Sequence, residues 1–174
     1  APSIYCEHPS PSSPVQGAWF LQEVLDALTA VPEVWSKTVL LVNFDENDGY
    51  FDHVPSPSAP SRDAGGSLAG KTTLADADLT PEYFTHASPA GSTTQPATKD
   101  GRVYGPGPRV PMYVISPWSR GGWVNSQVFD HTSVLRFLEA RFGVAEPNIS
   151  PFRRAVCGDL TSCAPRRKPY RRCR

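Results

Sequence analysis

Two uninterrupted apolar runs constrain this chain more than any other feature. Thr38-Val39-Leu40-Leu41-Val42-Asn43-Phe44 and Val110 to Ile115 are short, rich in β-branched residues, and show no alternation of polar and apolar positions. Runs of this kind read as strands buried on both faces, as in a parallel sheet covered by helices. Pro111 falls near the start of the second run, where a missing N–H is tolerated better than at a strand centre.

Helical patterning flanks both runs. From Gly17 to about Ala30, Trp19, Leu21, Val24, Leu25 and Leu28 recur at helical spacing, with Gln22, Glu23 and Asp26 on the polar side and Pro32 as the stop. Asp130 is placed to cap a second helix from about His131 to Phe142, with Val134, Leu135, Leu138 and Phe142 facing inward and Gly143 as the breaker. Helix, strand, excursion, strand, helix is the order expected of part of a layered α/β domain with a mostly parallel central sheet. Two strands alone cannot satisfy such a sheet, so further strands are expected as partners.

Between the runs, Pro55 to Arg109 holds eight prolines and seven glycines, too long and punctuated for an ordinary connection. It is expected to be an excursion that borders or covers a site, with a short helical turn from Asp78 to Phe84. Residues 1–16, broken by Pro9, Pro11 and Pro14, are expected to lack regular structure.

Charge narrows the function classes. Net charge is zero, but Arg166, Arg167, Lys168, Arg171, Arg172 and Arg174 supply six of the seventeen basic residues, leaving the body to Pro165 with 11 basic and 17 acidic side chains. An acidic body argues against a nucleic-acid partner, which needs a basic face. The basic end is compatible with peripheral contact to an anionic membrane or with simple solvation. No run approaches the roughly eighteen apolar residues of a membrane helix. Ala1 stands where an initiator Met is usual, so the chain is expected to be an internal piece. Cys6, Cys157, Cys163 and Cys173 match no zinc or CxxC spacing, and three full disulfide pairings stay open.

The densest chemical signal is Asp45-Glu46-Asn47-Asp48-Gly49 at the carboxyl end of the first strand, followed by Tyr50-Phe51-Asp52-His53. In open α/β sheets ligands bind at that end. Adjacent carboxylates offer hard oxygen ligands to a divalent cation, and Gly49 permits a sharp turn. Acids at strand ends also serve simply as turn formers. The run does not follow a calcium loop, because Phe51, Asp52 and His53 break the ligand order. His8 and His53 are candidates for donating to a phosphate or a leaving oxygen. His131 reads as a capping or packing histidine and His86 as exposed. No G-x-S-x-G elbow, GxxxxGK[ST] loop or GxGxxG crossing is present, so neither Ser119 nor Ser126 is assigned as a nucleophile.

Four blocks carry a resemblance: Cys6-Glu7-His8-Pro9; Thr38 to Val54, TVLLVNFDENDGYFDHV; Gly107 to Trp123, GPRVPMYVISPWSRGGW; and Phe129 to Phe142, FDHTSVLRFLEARF. Together they resemble the bacterial non-calcium-dependent phospholipase C and acid phosphatase family, a branch of the alkaline-phosphatase-like superfamily, and the match runs from Tyr5 to Ser162. The resemblance implies a phosphoric ester hydrolase acting on phospholipid phosphodiesters such as phosphatidylcholine, or on small phosphoesters, in a secreted or periplasmic setting. It implies that Asp45 and Glu46 contribute to a site for a divalent metal ion of unknown identity, and that His8 lies beside the phosphoryl group. His53 belongs to the same block and is expected either to approach the leaving group or to order the loop.

The resemblance is partial. The E-N-x-S-F-D-like opening block and the serine or threonine nucleophile of family enzymes have no counterpart here, so residues 1–162 are expected to be the carboxyl-terminal part of a catalytic domain. Residues 163–174 depart from the family pattern as a basic, divergent tail. The rival expectation is a non-catalytic module that binds phospholipid head groups or a protein partner.

Overall fold

The computed structural model describes residues 1–85 and 101–164. His86, Cys173 and the basic tail lie outside the described residues. The chain divides into two units, one of Ala1–Tyr50 with Val110–Val124, the other of Phe51–Arg109 with Asn125–Cys163.

In the first unit, a 3-10 turn at Ser3–Tyr5 leads to α1, Pro14–Thr29. The helix begins earlier than its apolar pattern suggests because Pro14, with φ already helical and no N–H to lose, suits the first position. Tyr5 lies against α1, stacked on Phe20 with ring centroids 5.5 Å apart and tilted against Trp19 at 5.2 Å. Pro32 ends this segment but also opens a second short helix, α2, Pro32–Trp35, by the same N-terminal preference.

The two apolar runs form β1, Leu40–Asn43, and β2, Met112–Ile115. They pair with each other, antiparallel, with Leu40 opposite Ile115 and Asn43 opposite Met112. Among the described residues the sheet is these two antiparallel strands, and the expected mostly parallel sheet is not shown by them. Composition encodes burial rather than direction, and a long excursion can return a strand either way. Both strands are half-buried rather than covered on both faces. Antiparallel pairing also puts the loops that leave the two strands at opposite ends. Asp45–Gly49 leaves β1 beside the start of β2, while Ser116–Gly122 leaves β2 beside the start of β1.

The second unit has its own core. Ala59, Leu79, Tyr83 and Phe152 are buried together, with Leu68, Leu74, Val103 and Val156 packed around them. The expected helical turn is present as α3, Asp76–Leu79, followed by a 3-10 turn at Thr80–Glu82. Leu79 is fully buried, and the Tyr83 hydroxyl donates to the Pro60 carbonyl at 2.6 Å. The described part of the excursion is therefore packed on a core that it shares with Phe152 and Val156. Helix α4, Thr132–Phe142, ends at Gly143 in the left-handed region, φ 71°, whose N–H bonds to Glu139 O. Its Leu135, Leu138 and Phe142 are exposed, which corrects the expectation that they face inward.

Helix α5, Pro151–Val156, has no counterpart in the apolar pattern, although Ser150-Pro151 is a legible start. The Ser150 hydroxyl accepts from the Arg153 N–H and donates to the Glu82 carboxylate. Arg153 reaches Glu82 Oε2 at 3.2 Å, Asp130 Oδ2 at 2.8 Å and the Gly105 carbonyl at 3.3 Å. One guanidinium thus joins the excursion, the start of α4 and α5. Burial works to raise the Asp130 carboxyl, but hydrogen bonds from Arg153 and Thr132 outweigh it and hold the group below its usual range.

Candidate active site

Asp45 and Glu46 follow β1 in the first unit, and both are exposed. Asp48 and Gly49 take left-handed φ values of 51° and 79°, which bends the backbone sharply. Inside that bend the Glu46 N–H donates to Asp45 Oδ1 at 3.1 Å, the Asp48 N–H donates to Glu46 Oε2, and Tyr50 N bonds to Asn47 O at 2.9 Å. The remaining oxygens are open to solvent or to a ligand. Adjacent carboxylates are the right donors for a hard cation. Among the described residues no three His, Cys, Asp or Glu side chains gather into a set that could hold a metal ion.

His8 is exposed in a turn with unusual support. The preceding Glu7 has φ 70°, uncommon for a residue with a side chain. The Glu7 N–H donates to Ser12 Oγ at 3.0 Å, and that hydroxyl donates to the Ile4 carbonyl at 3.0 Å. Glu7 lies directly on α1 at Gly17, where an added Cβ would fall 2.2 Å from Glu7 Cγ and Oε1. Only glycine admits that approach. Nδ1 of His8 bonds to the Pro9 carbonyl at 2.9 Å, and since a carbonyl only accepts, Nδ1 is the donor. The supporting pair Glu7 and Gly17 was not singled out from sequence. A lone glycine within an apolar helical pattern is the signal that could have found it.

His53 belongs to the second unit and its side chain is 96% exposed. Its neighbour Asp52 is held firmly. Oδ1 of Asp52 accepts the Val54 N–H at 3.0 Å, and Oδ2 accepts Arg109 Nε at 2.7 Å and a second guanidinium N–H. The Val54 N–H and then Arg109 keep the Asp52 carboxyl below its usual range. The Ser56 hydroxyl donates to the Gly107 carbonyl, a second tie between the same two segments. An open cleft of about 310 Å³ lies between them, with Phe51, Asp52, Tyr104 and Pro106 among its lining. His131 is the residue preceding α4; it is exposed and its side chain makes no capping hydrogen bond. Cys6, Cys157 and Cys163 are thiols that form no disulfide among the described residues.

The structure is thus of a mixed helix-and-strand class, with the Asp45 and Glu46 carboxylates exposed after β1 and the His8 and His53 imidazoles exposed on turns. Residues 1–145 match the Phosphoesterase family, and the chain belongs to that family. It is 67% identical over 162 residues to a non-hemolytic phospholipase C of Pseudomonas aeruginosa, covering 93% of this chain and 22% of that protein. A non-hemolytic phospholipase C of Burkholderia pseudomallei is 51% identical over 167 residues, covering 93% of this chain and 21% of its own length. Phospholipase C B of Mycobacterium tuberculosis is 42% identical over 163 residues, 91% of this chain and 27% of that protein. The chain thus spans about a fifth to a quarter of the length of these relatives.

Proposed function

We propose that this chain forms part of the active site of a phosphoric ester hydrolase of the phospholipase C type, acting on phospholipid phosphodiesters such as phosphatidylcholine. The observation that carries this reading is 67% identity over nearly the whole chain to a protein named a phospholipase C. In the complete protein Asp45 and Glu46 hold a divalent metal ion together with donors from other segments. That ion, when bound, supplies positive charge to the phosphoryl oxygens. Asp45 and Glu46 fix its place through a turn already closed by their own backbone bonds.

His8 presents Nε2 to the ester and His53 donates a proton to the leaving oxygen; both work from exposed turns. General acid assistance of this kind contributes about 10²–10⁴ in rate. β1 and β2 join a larger, mostly parallel sheet, in which an antiparallel neighbour at an edge is common. Secreted or periplasmic placement, with peripheral contact to a membrane surface, goes with a phospholipid substrate. Among the described residues no helix is long and apolar enough to cross a membrane.

The test is Asp45→Asn in the full-length protein. Turnover of phosphatidylcholine falls by about 10² or more while the fold is retained, and metal affinity measured by calorimetry drops, because one charged donor is lost. Wild-type turnover with unchanged metal affinity would rule the role out.

A further inference from the structure

We infer that Asp52 and Arg109 are positioning residues for His53, acting together as a clamp that fixes the turn from which its imidazole works. The inference rests on the assignment of His53 to the leaving group. With 96% of its side chain exposed, His53 is held by no packing of its own ring, so its placement depends on the backbone beneath it. Asp52 controls that backbone from both sides. Its Oδ1 closes a turn over His53 onto the Val54 N–H at 3.0 Å, and the same oxygen lies 3.7 Å from His53 Nδ1. Its Oδ2 takes two N–H groups of Arg109, a forked geometry that fixes orientation as well as distance.

Arg109 is the last residue of the excursion, 57 positions away in sequence. The bond from Ser56 to the Gly107 carbonyl lies alongside, so two ties hold the His53 turn to one fixed strip of chain. The Asp52 side chain is 28% exposed and that of Arg109 is 54% exposed. A pair this open to water adds little to global stability. Its value is geometric: displacement of a reacting group by about 1 Å can cost on the order of a hundredfold in rate.

The test uses the full-length protein and two phosphodiesters that differ in leaving group, one alkyl and one nitrophenyl. A nitrophenolate departs without a proton, so loss of an acid group harms the alkyl ester far more. His53→Ala is expected to lower kcat on the alkyl ester by about a hundredfold and on the nitrophenyl ester by less than about tenfold. Asp52→Ala and Arg109→Ala should each give about a tenfold loss or more on the alkyl ester, less than about threefold on the nitrophenyl ester, and no further loss in a His53→Ala background.

Arg109→Lys and Asp52→Asn guard against misfolding. The first keeps charge without the fork, and the second keeps an oxygen for the Val54 N–H; both should show the same leaving-group dependence at smaller amplitude. Equal losses on the two esters, or losses that add to that of His53→Ala, overturn the clamp. If His53→Ala shows no leaving-group dependence, the role of His53 and the clamp fall together. Failure of the broader reading shows separately, as Asp45→Asn retaining wild-type turnover.

Discussion

Replacing Arg153 with methionine should loosen the second unit far more than any single surface change, in a manner that depends on pH. Arg153 faces two carboxylates whose side chains are 3% and 4% exposed, Glu82 and Asp130, while its own side chain is 22% exposed. Removing the cation leaves both acids buried without a counter-charge, and breaking a buried pair in this way costs about 3–5 kcal/mol. The partial exposure of Arg153 favours the lower figure, about 3 kcal/mol, equivalent to a change on the order of a hundredfold in an opening equilibrium. Amide exchange of Arg154 and Cys157, whose N–H groups bond to Ser150 O and Arg153 O, reads that opening directly.

The sign with pH follows from Asp130. Its folded-state carboxyl lies below the ordinary 3.8, so the wild-type contribution is fully present above that value and is lost as pH falls through the lower folded value. In Arg153→Met Asp130 loses the partner that favoured its charged form, so the deficit relative to wild type narrows as the pH approaches 4. Arg154→Met, which removes a more exposed pair with Glu139, serves as the comparison and should have a much smaller effect. Amide exchange in Arg153→Met that changes by less than about threefold at pH 7 would refute the reasoning, since that corresponds to well under 1 kcal/mol.

Gly17→Ala should displace Glu7 and distort the His8 turn, because its new methyl would fall 2.2 Å from the Glu7 side chain; a fall in turnover of the full-length protein without loss of helix by circular dichroism is the expected result. Residues 1–174 alone should show no turnover of a chromogenic phosphodiester with any divalent cation, since Asp45 and Glu46 need further donors; robust metal-dependent hydrolysis by the pure chain would contradict this. Burial and the nearby Asp130 push the Cys157 thiol up to about 11, so at pH 8 iodoacetamide should modify exposed Cys6 well before Cys157, as mass spectrometry of timed samples would show.

Local chemistry was legible in the sequence where one segment decides its own shape. The apolar runs give β1 and β2, Gly143 ends α4, and the bend after Asp45 is set by Gly49 and its neighbours. Direction of pairing was not legible, because the same residues can be half-buried in either orientation. Nor was α5, since Phe152 and Val156 supply too few apolar positions for a periodic pattern and the helix is fixed by distant partners, Glu82 and Asp130. The roles proposed for His8, Asp45, Glu46 and His53 came from the family resemblance, and as reactive residue types they could be picked out. Their supports could not be, because Gly17 and Arg109 matter through contacts with residues far along the chain.

The core of the second unit has a consequence for synthesis of the chain. Phe152 closes a cluster begun by Ala59, Leu79 and Tyr83, and Arg153 completes the charges on Glu82. While a ribosome is still making the intervening residues, the excursion has an open apolar side and a buried-type acid without its cation. Contacts this distant form slowly, because a long loop must close before they stabilise anything. Helix α1, whose bonds are local, can form as soon as it emerges, whereas the excursion must wait for α5. Stalling translation just before Pro151 should therefore leave residues 51–85 and 101–109 open to protease, and extending the chain far enough beyond Cys157 to free α5 from the ribosome should protect them.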